Sequence, residues 1–326
     1  MQQKVQSSLA HRPAAGERYG TPLLGVNLEI TRSDGLSTSE GLRAAAAAGY
    51  RFVEPYVYAP ARRRVNSHVD LTADLTFTHY TAGPDGDDPA AVRAALDASG
   101  LRFSALSAHA PLLSPVLGVE YVEHAIVFAA ATGSPVVNTD EGPLPAWMTL
   151  EEAFKVLTIT LRPILAAAER HGVTIGLEPH DRLTTDVEWL DRVLRHFSGA
   201  PLGVNFDTGN AYLAGNDPVD MIRAIGGRIV HVHAKDIPSK QAAAERGAVQ
   251  STRVGCTVGE GALDFPAIVA ALHDTGFDGV LCVECDTAAQ ATASRTYLEG
   301  LLAQTIATVD ASAGAGSKVS GEAVRA

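Results

Sequence analysis

The chain has 326 residues, 46% of them hydrophobic and 19% charged, with a formal net charge of −11 at pH 7. That acidic balance argues against a nucleic-acid partner, which a protein meets with a basic footprint. Three cysteines (Cys256, Cys282 and Cys285) are too few and too odd in number for a disulfide framework, and no apolar run reaches the ~18 residues of a membrane span.

The N-terminal stretch lacks a hydrophobic segment of the secretory kind, so a cytoplasmic protein with reduced thiols is expected. Arg62, Arg63 and Arg64 form a small basic patch, read as a solvated loop. Residues 1–20 and 310–326 are small, polar and unpatterned, and are expected to be mobile tails flanking a catalytic domain over 21–309.

Along that domain, short apolar runs alternate with helical patterns, the signature of repeated βα units. Strand one is predicted over 23–28. Its helix starts near Ser37, which has capping-box spacing to Glu40, and closes at Gly49. Strand two covers 51–55, and a long polar segment from Tyr56 to about Asp88 leads to a helix over 89–99. Strand three (101–109) precedes a helix over about 117–132, and strand four (135–138) precedes one from Thr149 to about Arg170. Strands five, six and seven are predicted at 173–178, 202–207 and 228–233, with helices beginning after Thr185 and at Pro218. A second long loop, 234–262, precedes a helix over about 264–274; strand eight (279–284) and a helix over about 288–309 complete the series. Eight strands, each followed by a helix, predict a single (β/α)8 barrel with long loops after strands two and seven.

Four predicted strand ends carry ligand-type residues: Glu178, Asp207, His233 and Glu284. Barrel enzymes build their sites at those ends, so the four face one mouth. Alternation gives them an inward direction, with Ile175 and Leu177 on one side of strand five and Gly176 and Glu178 on the other. Glu178 and Asp207 are 29 positions apart, and Asp207 and His233 are 26 apart, each about one βα unit. Three crowded carboxylates repel unless a cation neutralises them. With one imidazole, the oxygen-rich set suits one divalent cation, Mn²⁺ first, with Mg²⁺, Co²⁺ or Zn²⁺ as alternatives.

The segments GLEPH (176–180), NFDTGN (205–210), HVHAKD (231–236), VGEGALDF (258–265) and VECD (283–286) resemble the xylose-isomerase-like sugar isomerase/epimerase superfamily over about 21–309. The resemblance implies that Glu178, Asp207, His233 and Glu284 bind one metal, and that Glu178 and Glu284 double as acid and base. It also implies a keto-sugar or related polyol substrate. The same family holds lyases: inosose-type dehydratases and the barrel subunit of C-glycoside deglycosidases cleaving a 3-keto-C-glycoside.

The chemistry available is deprotonation beside a carbonyl with stabilisation of the enediolate. His180, two residues beyond Glu178, is a candidate separate base, and such a histidine suits elimination or bond cleavage. Expected substrate contacts are His109, Glu54, Asn138 and Lys235; Asn27, Asp140, Glu141, Trp147 and Tyr56 are further mouth residues. Asp236 is expected to orient a ligand from behind, and His231 and Cys282 to lie one layer lower in the core. The long loops leave room for a larger substrate, and an oligomer with space for a small second subunit is expected.

Overall fold

Every strand of the sheet is short, two to six residues, and each is parallel to its neighbours. β1 is Leu23–Asn27, β2 Phe52–Glu54, β3 Tyr56–Tyr58, β4 His79–Thr81, β5 Arg102–Phe103, β6 Leu106–Ser107, β7 Val136–Thr139, β8 Thr174–Leu177, β9 Leu202–Asp207, β10 Ile229–Ala234 and β11 Val280–Val283. This is a computed structural model, and it describes residues 22–58, 79–83, 86–252 and 255–319. The sheet order is β4-β3-β6-β7-β8-β9-β10-β11-β1-β2-β5.

Among the described residues, eleven strand segments stand where eight were predicted, for local reasons. Pro55 has no N–H to give and divides β2 from β3; Ser104 and Ala105 divide β5 from β6. The divided pieces still face each other, since β2 pairs with β5 and β3 with β6. Ser104 N and Ser107 N donate to the carbonyls of Val53 and Pro55 across the breaks. The pair β3-β6 near one end of the sheet order and the pair β2-β5 at the other are therefore neighbouring stretches of the same two chain segments, and the sheet curls round. β4 is the additional piece, lying beside β3 within the long segment after strand two. The rest of that segment, including Arg62, Arg63 and Arg64, lies outside the described residues.

The helices follow the punctuation of the sequence. α1 (Thr31–Asp34) is a single turn. α2 (Thr38–Ala47) starts with the capping box of Ser37 and Glu40, while α3 (Pro89–Ser99), α4 (Pro115–Thr132) and α5 (Leu150–His171) stop at Gly100, Gly133 and Gly172. All three glycines have positive φ, where an L side chain would be strained. α6 (Val187–His196) and α8 (Pro218–Ile225) begin at Asp186 and Asp217, whose side chains cap them. Between those two, α7 (Thr208–Leu213) springs directly from the end of β9 with Asp207 as its cap. The long segment after β10 contains α9 (Ser239–Glu245) and an antiparallel bridge from Asp236 to Cys256. α10 (Phe265–Asp274) begins where expected, and α11 (Ala288–Val319) runs ten residues past its predicted end. Among the described residues no helix is long and apolar enough to cross a membrane.

Apolar side chains from the outer sheet face and the helices form one continuous core, with Ile175, Leu177, Val204, Phe206, Leu281 and Val283 buried in it. The inward parity of Gly176 has a direct trace. A Cβ added there would lie 2.2 Å from Asn138 Oδ1 and 3.1 Å from Asn205 Cβ, both interior side chains. Glu178, two positions on, points the same way. All three cysteines are free thiols.

Candidate active site and cation centre

The ends of β8, β9, β10 and β11 bring Glu178, Asp207, His233 and Glu284 together, each 4% exposed or less. His233 Nδ1 lies 3.1 Å from Glu284 Oε2, 3.4 Å from Glu178 Oε2 and 3.9 Å from Asp207 Oδ2. Ligand atoms around an ion with bonds of ~2.1 Å stand about 3.0–3.4 Å apart, so this spacing needs little adjustment to enclose one. Glu284 Oε2 is buried and receives no hydrogen bond of good geometry, its approach to His233 Nδ1 included, which leaves a lone pair for a cation.

Other side chains hold the set in place. Asn205 Nδ2 donates to Glu178 Oε2 at 2.8 Å and Asn210 Nδ2 to Glu178 Oε1 at 3.2 Å. Asp207 Oδ1 caps α7 by accepting from Asn210 N at 2.9 Å. Lys235, 2% exposed, bridges Asp207 Oδ2 at 2.9 Å and Glu284 Oε1 at 2.7 Å, and its third donor reaches Thr252 O. Behind the imidazole, Glu54 Oε2 lies 2.8 Å from His233 Nε2, so one ring nitrogen is tied and the other is presented to the carboxylates.

The electrostatics show a shortage of positive charge. Glu54, Glu178, Asp207 and Glu284 face the Lys235 ammonium and the His233 imidazole, while burial holds His231, 3.8 Å from Glu54, down to about 4. Burial pushes the Glu178 carboxyl up to about 8 against the pull of His233 and His109. Burial acts the same way on Glu284, but Lys235 and His233 hold it down to about 2. His233 is lifted well above its ordinary value by Glu54, Glu178 and Glu284 in spite of its burial. A divalent cation at the same place would relieve both of these upward shifts. The donor set fits such an ion.

A second group lies beside the first. His109 Nδ1 contacts Asp140 Oδ2, and Asp140 Oδ1 accepts from Gly142 N at 2.7 Å. The His109 ring stands 5.5 Å from Tyr56 and 5.4 Å from His180, centroid to centroid. Burial depresses the pKa of His180 below the ordinary imidazole value. His180 N donates to Thr184 Oγ1, and Thr184 Oγ1 donates to Glu141 Oε2. Glu141 also accepts from the backbone N–H groups of Leu183 and Thr184, so it anchors the loop that carries His180. Glu141→Ala should lower stability by about 2–3 kcal/mol, whereas Glu141→Gln, which keeps an acceptor, should cost under ~1 kcal/mol in urea unfolding.

Several expected roles change on this geometry. Of the four expected substrate contacts, Glu54 and Asn138 have no exposed surface; Asn138 Nδ2 donates to Glu54 Oε1 and Ser107 Oγ to the same oxygen. Lys235 is occupied by Asp207 and Glu284, and His109 alone keeps a partly open ring, 23% exposed. Asp236 does not support a ligand. It accepts from the backbone N–H groups of Ile237, Gly259, Gly261 and Leu263, and so shapes the 255–263 loop. The residue behind His233 is Glu54, which sequence pattern placed at the mouth because it ends a strand. His231 and Cys282 do lie below the mouth, both buried. Asn27 caps its own turn through Oδ1, Tyr56 donates to Glu29 Oε1, and Trp147 is 79% exposed.

A family model described as a xylose isomerase-like TIM barrel matches residues 42–303. Inosose dehydratase of Lacticaseibacillus casei is 32% identical over 116 residues, 33% of this chain and 39% of that protein. An uncharacterized protein of Methanocaldococcus jannaschii is 31% identical over 194 residues, 57% of this chain and 62% of that one. The chain thus spans less than two thirds of the length of these curated relatives. Among solved structures, L-ribulose 3-epimerase superposes with a TM-score of 0.68 at 16% identity, covering 89% of this chain and 97% of that one. A crystal structure of IOLI protein with a bound zinc atom gives 0.65 at 18% identity, covering 87% and 99%.

Proposed function

The chain belongs to the xylose isomerase-like TIM barrel family, and we propose that it is a divalent-metal-dependent enzyme that removes a proton beside the carbonyl of a keto-sugar or related polyol. The observation that supports this most directly is the convergence of Glu178, Asp207 and Glu284 on His233 Nδ1 in a buried, cation-deficient nest. We count the eleven strand segments as eight barrel staves, with β2/β3 and β5/β6 each one stave and β4 an addition.

Glu178, Asp207, His233 and Glu284 would hold the cation, which would act as a Lewis acid on the carbonyl and the neighbouring hydroxyl. Mn²⁺ is our first choice, and zinc in the IOLI structure keeps Zn²⁺ among the alternatives. Glu54 fixes the imidazole so that Nδ1 faces the three carboxylates, a positioning role in place of sugar contact. Lys235 balances the charge of Asp207 and Glu284 from between them. Glu178, Glu284 and His180 are the groups that take or return a proton at the substrate carbon.

Isomerisation or epimerisation needs only that base and acid. A lyase outcome, dehydration or cleavage of a 3-keto-C-glycoside, is the second reading. His180 favours it, as do relatives named inosose dehydratase and 3-oxo-isoapionate decarboxylase. The test is solvent exchange: the Mn²⁺-loaded protein in D2O should wash deuterium into the carbon beside the ketone of D-fructose, inosose or a 3-keto-glucoside. Chelation with EDTA should abolish the exchange and Mn²⁺ should restore it. Exchange that survives complete removal of metal would refute the reading.

A further inference from the structure

We propose that His109 is a catalytic acid that protonates a departing oxygen, so that the reaction at this mouth is an elimination from a ketone bearing a β-hydroxyl or β-alkoxy group. The proposal rests on the enolisation reading above and names the step that follows it.

The first support is the way the ring is held. Asp140 engages Nδ1, and Asp140 is itself pinned by Gly142 N through its other oxygen. That is the only hydrogen bond of the His109 ring among the described residues, so Nε2 is left for a ligand. With 23% of its side chain exposed, the ring is open to one, beside Tyr56 and His180. The pairing mirrors the one at His233, where a buried Glu54 ties Nε2 and frees Nδ1. Each of these two mouth histidines is thus backed by a buried carboxylate on one nitrogen and presents the other.

The second support is chemical need. Moving a proton on and off one carbon requires an acid and a base at that carbon, and Glu178 and Glu284 can already supply them. A further histidine with its own carboxylate is redundant for epimerisation. An acid is needed when an oxygen must leave, because hydroxide or alkoxide departs slowly unless protonated, and His109 is the group left over to supply it. Asp140 outweighs the effect of burial and keeps the His109 ring charged up to about 9, so the proton is present at neutral pH.

The step balances without an oxidant or reductant. The base takes the proton from the carbon beside the carbonyl, and the C–H pair becomes the enolate. As the carbonyl re-forms, the C–O bond on the next carbon breaks and its electron pair leaves with the oxygen. That oxygen takes the proton from His109 Nε2. The products are a conjugated ketone and water or an alcohol, and solvent returns one proton to His109 and removes one from the base.

The experiment uses the full-length Mn²⁺-loaded chain with inosose in D2O, following deuterium entry by NMR and enone formation by absorbance. In His109→Gln and Asp140→Asn, elimination should fall by about 10²–10³ while exchange at the carbon beside the ketone persists. Replacing the leaving hydroxyl of the probe by fluoride, which needs no proton, should bring His109→Gln back to within about tenfold of wild type. A purely structural defect would not respond to the leaving group. Exchange and elimination lost in equal measure, no rescue by fluoride, or loss of bound metal in His109→Gln would each overturn the assignment. Absence of metal-dependent exchange in the wild type on inosose, D-fructose and a 3-keto-glucoside would instead refute the enolisation reading beneath it.

Discussion

Glu178→Gln is expected to reduce kcat/KM by at least about 10³, the largest effect of any single conservative change in the chain. Both oxygens of Glu178 already accept from amide donors, Asn205 Nδ2 and Asn210 Nδ2. A glutamine must turn its own NH2 against one of them, and the remaining oxygen carries no charge for a cation. The loss therefore has two parts, a weaker metal and a missing proton acceptor. Metal content of the purified variant separates them: near-full occupancy with the same loss of rate would assign most of the effect to proton transfer. Activity within tenfold of wild type would show that Glu178 is neither ligand nor base.

The second large effect is expected at His180. His180→Ala should lower kcat by about 10²–10⁴ with the metal retained. The ring lies at the mouth, 5.4 Å from that of His109, on a loop fixed by Thr184 and Glu141. It makes none of the contacts that hold His233 or the carboxylates, so its removal leaves the cation nest whole. A variant with full metal and full activity would return the base role to Glu178 and Glu284 alone. Loss of metal in the same variant would mean that His180 belongs to the cation site instead of the substrate.

How far these features could be read in advance depended on whether local pattern or long-range contact decided them. Helix limits were legible because caps are local: Ser37 with Glu40, Asp186, Asp217 and the glycines at 100, 133 and 172 act within one turn. The four nest residues were legible because alternation and strand ends fix their side. The division of strand two at Pro55 was visible in the residue itself, but the matching break at Ser104 and Ala105 depends on the partner strand. Glu54 illustrates the limit. Its position at a strand end suggested a substrate contact, yet its partner His233 is 179 positions away and sets its role. Asp236 shows the reverse, a residue next to the site whose oxygens are all spent on the loop 255–263.

The pairing of His109 with Asp140 was also out of reach, since the two come from different βα loops, 31 positions apart. α7 could have been inferred: Asp207 followed by Asn210 has cap spacing, but the same aspartate was already read as a ligand, and it serves both purposes.

The central claim is that Glu178, Asp207, His233 and Glu284 form one cation site. Titration calorimetry with Mn²⁺ on the metal-stripped protein tests it most directly, comparing wild type with His233→Ala. One ion per chain in the wild type, and affinity lower by about 100-fold or more in the variant, is the predicted result. Equal stoichiometry and equal affinity in the two proteins would contradict it.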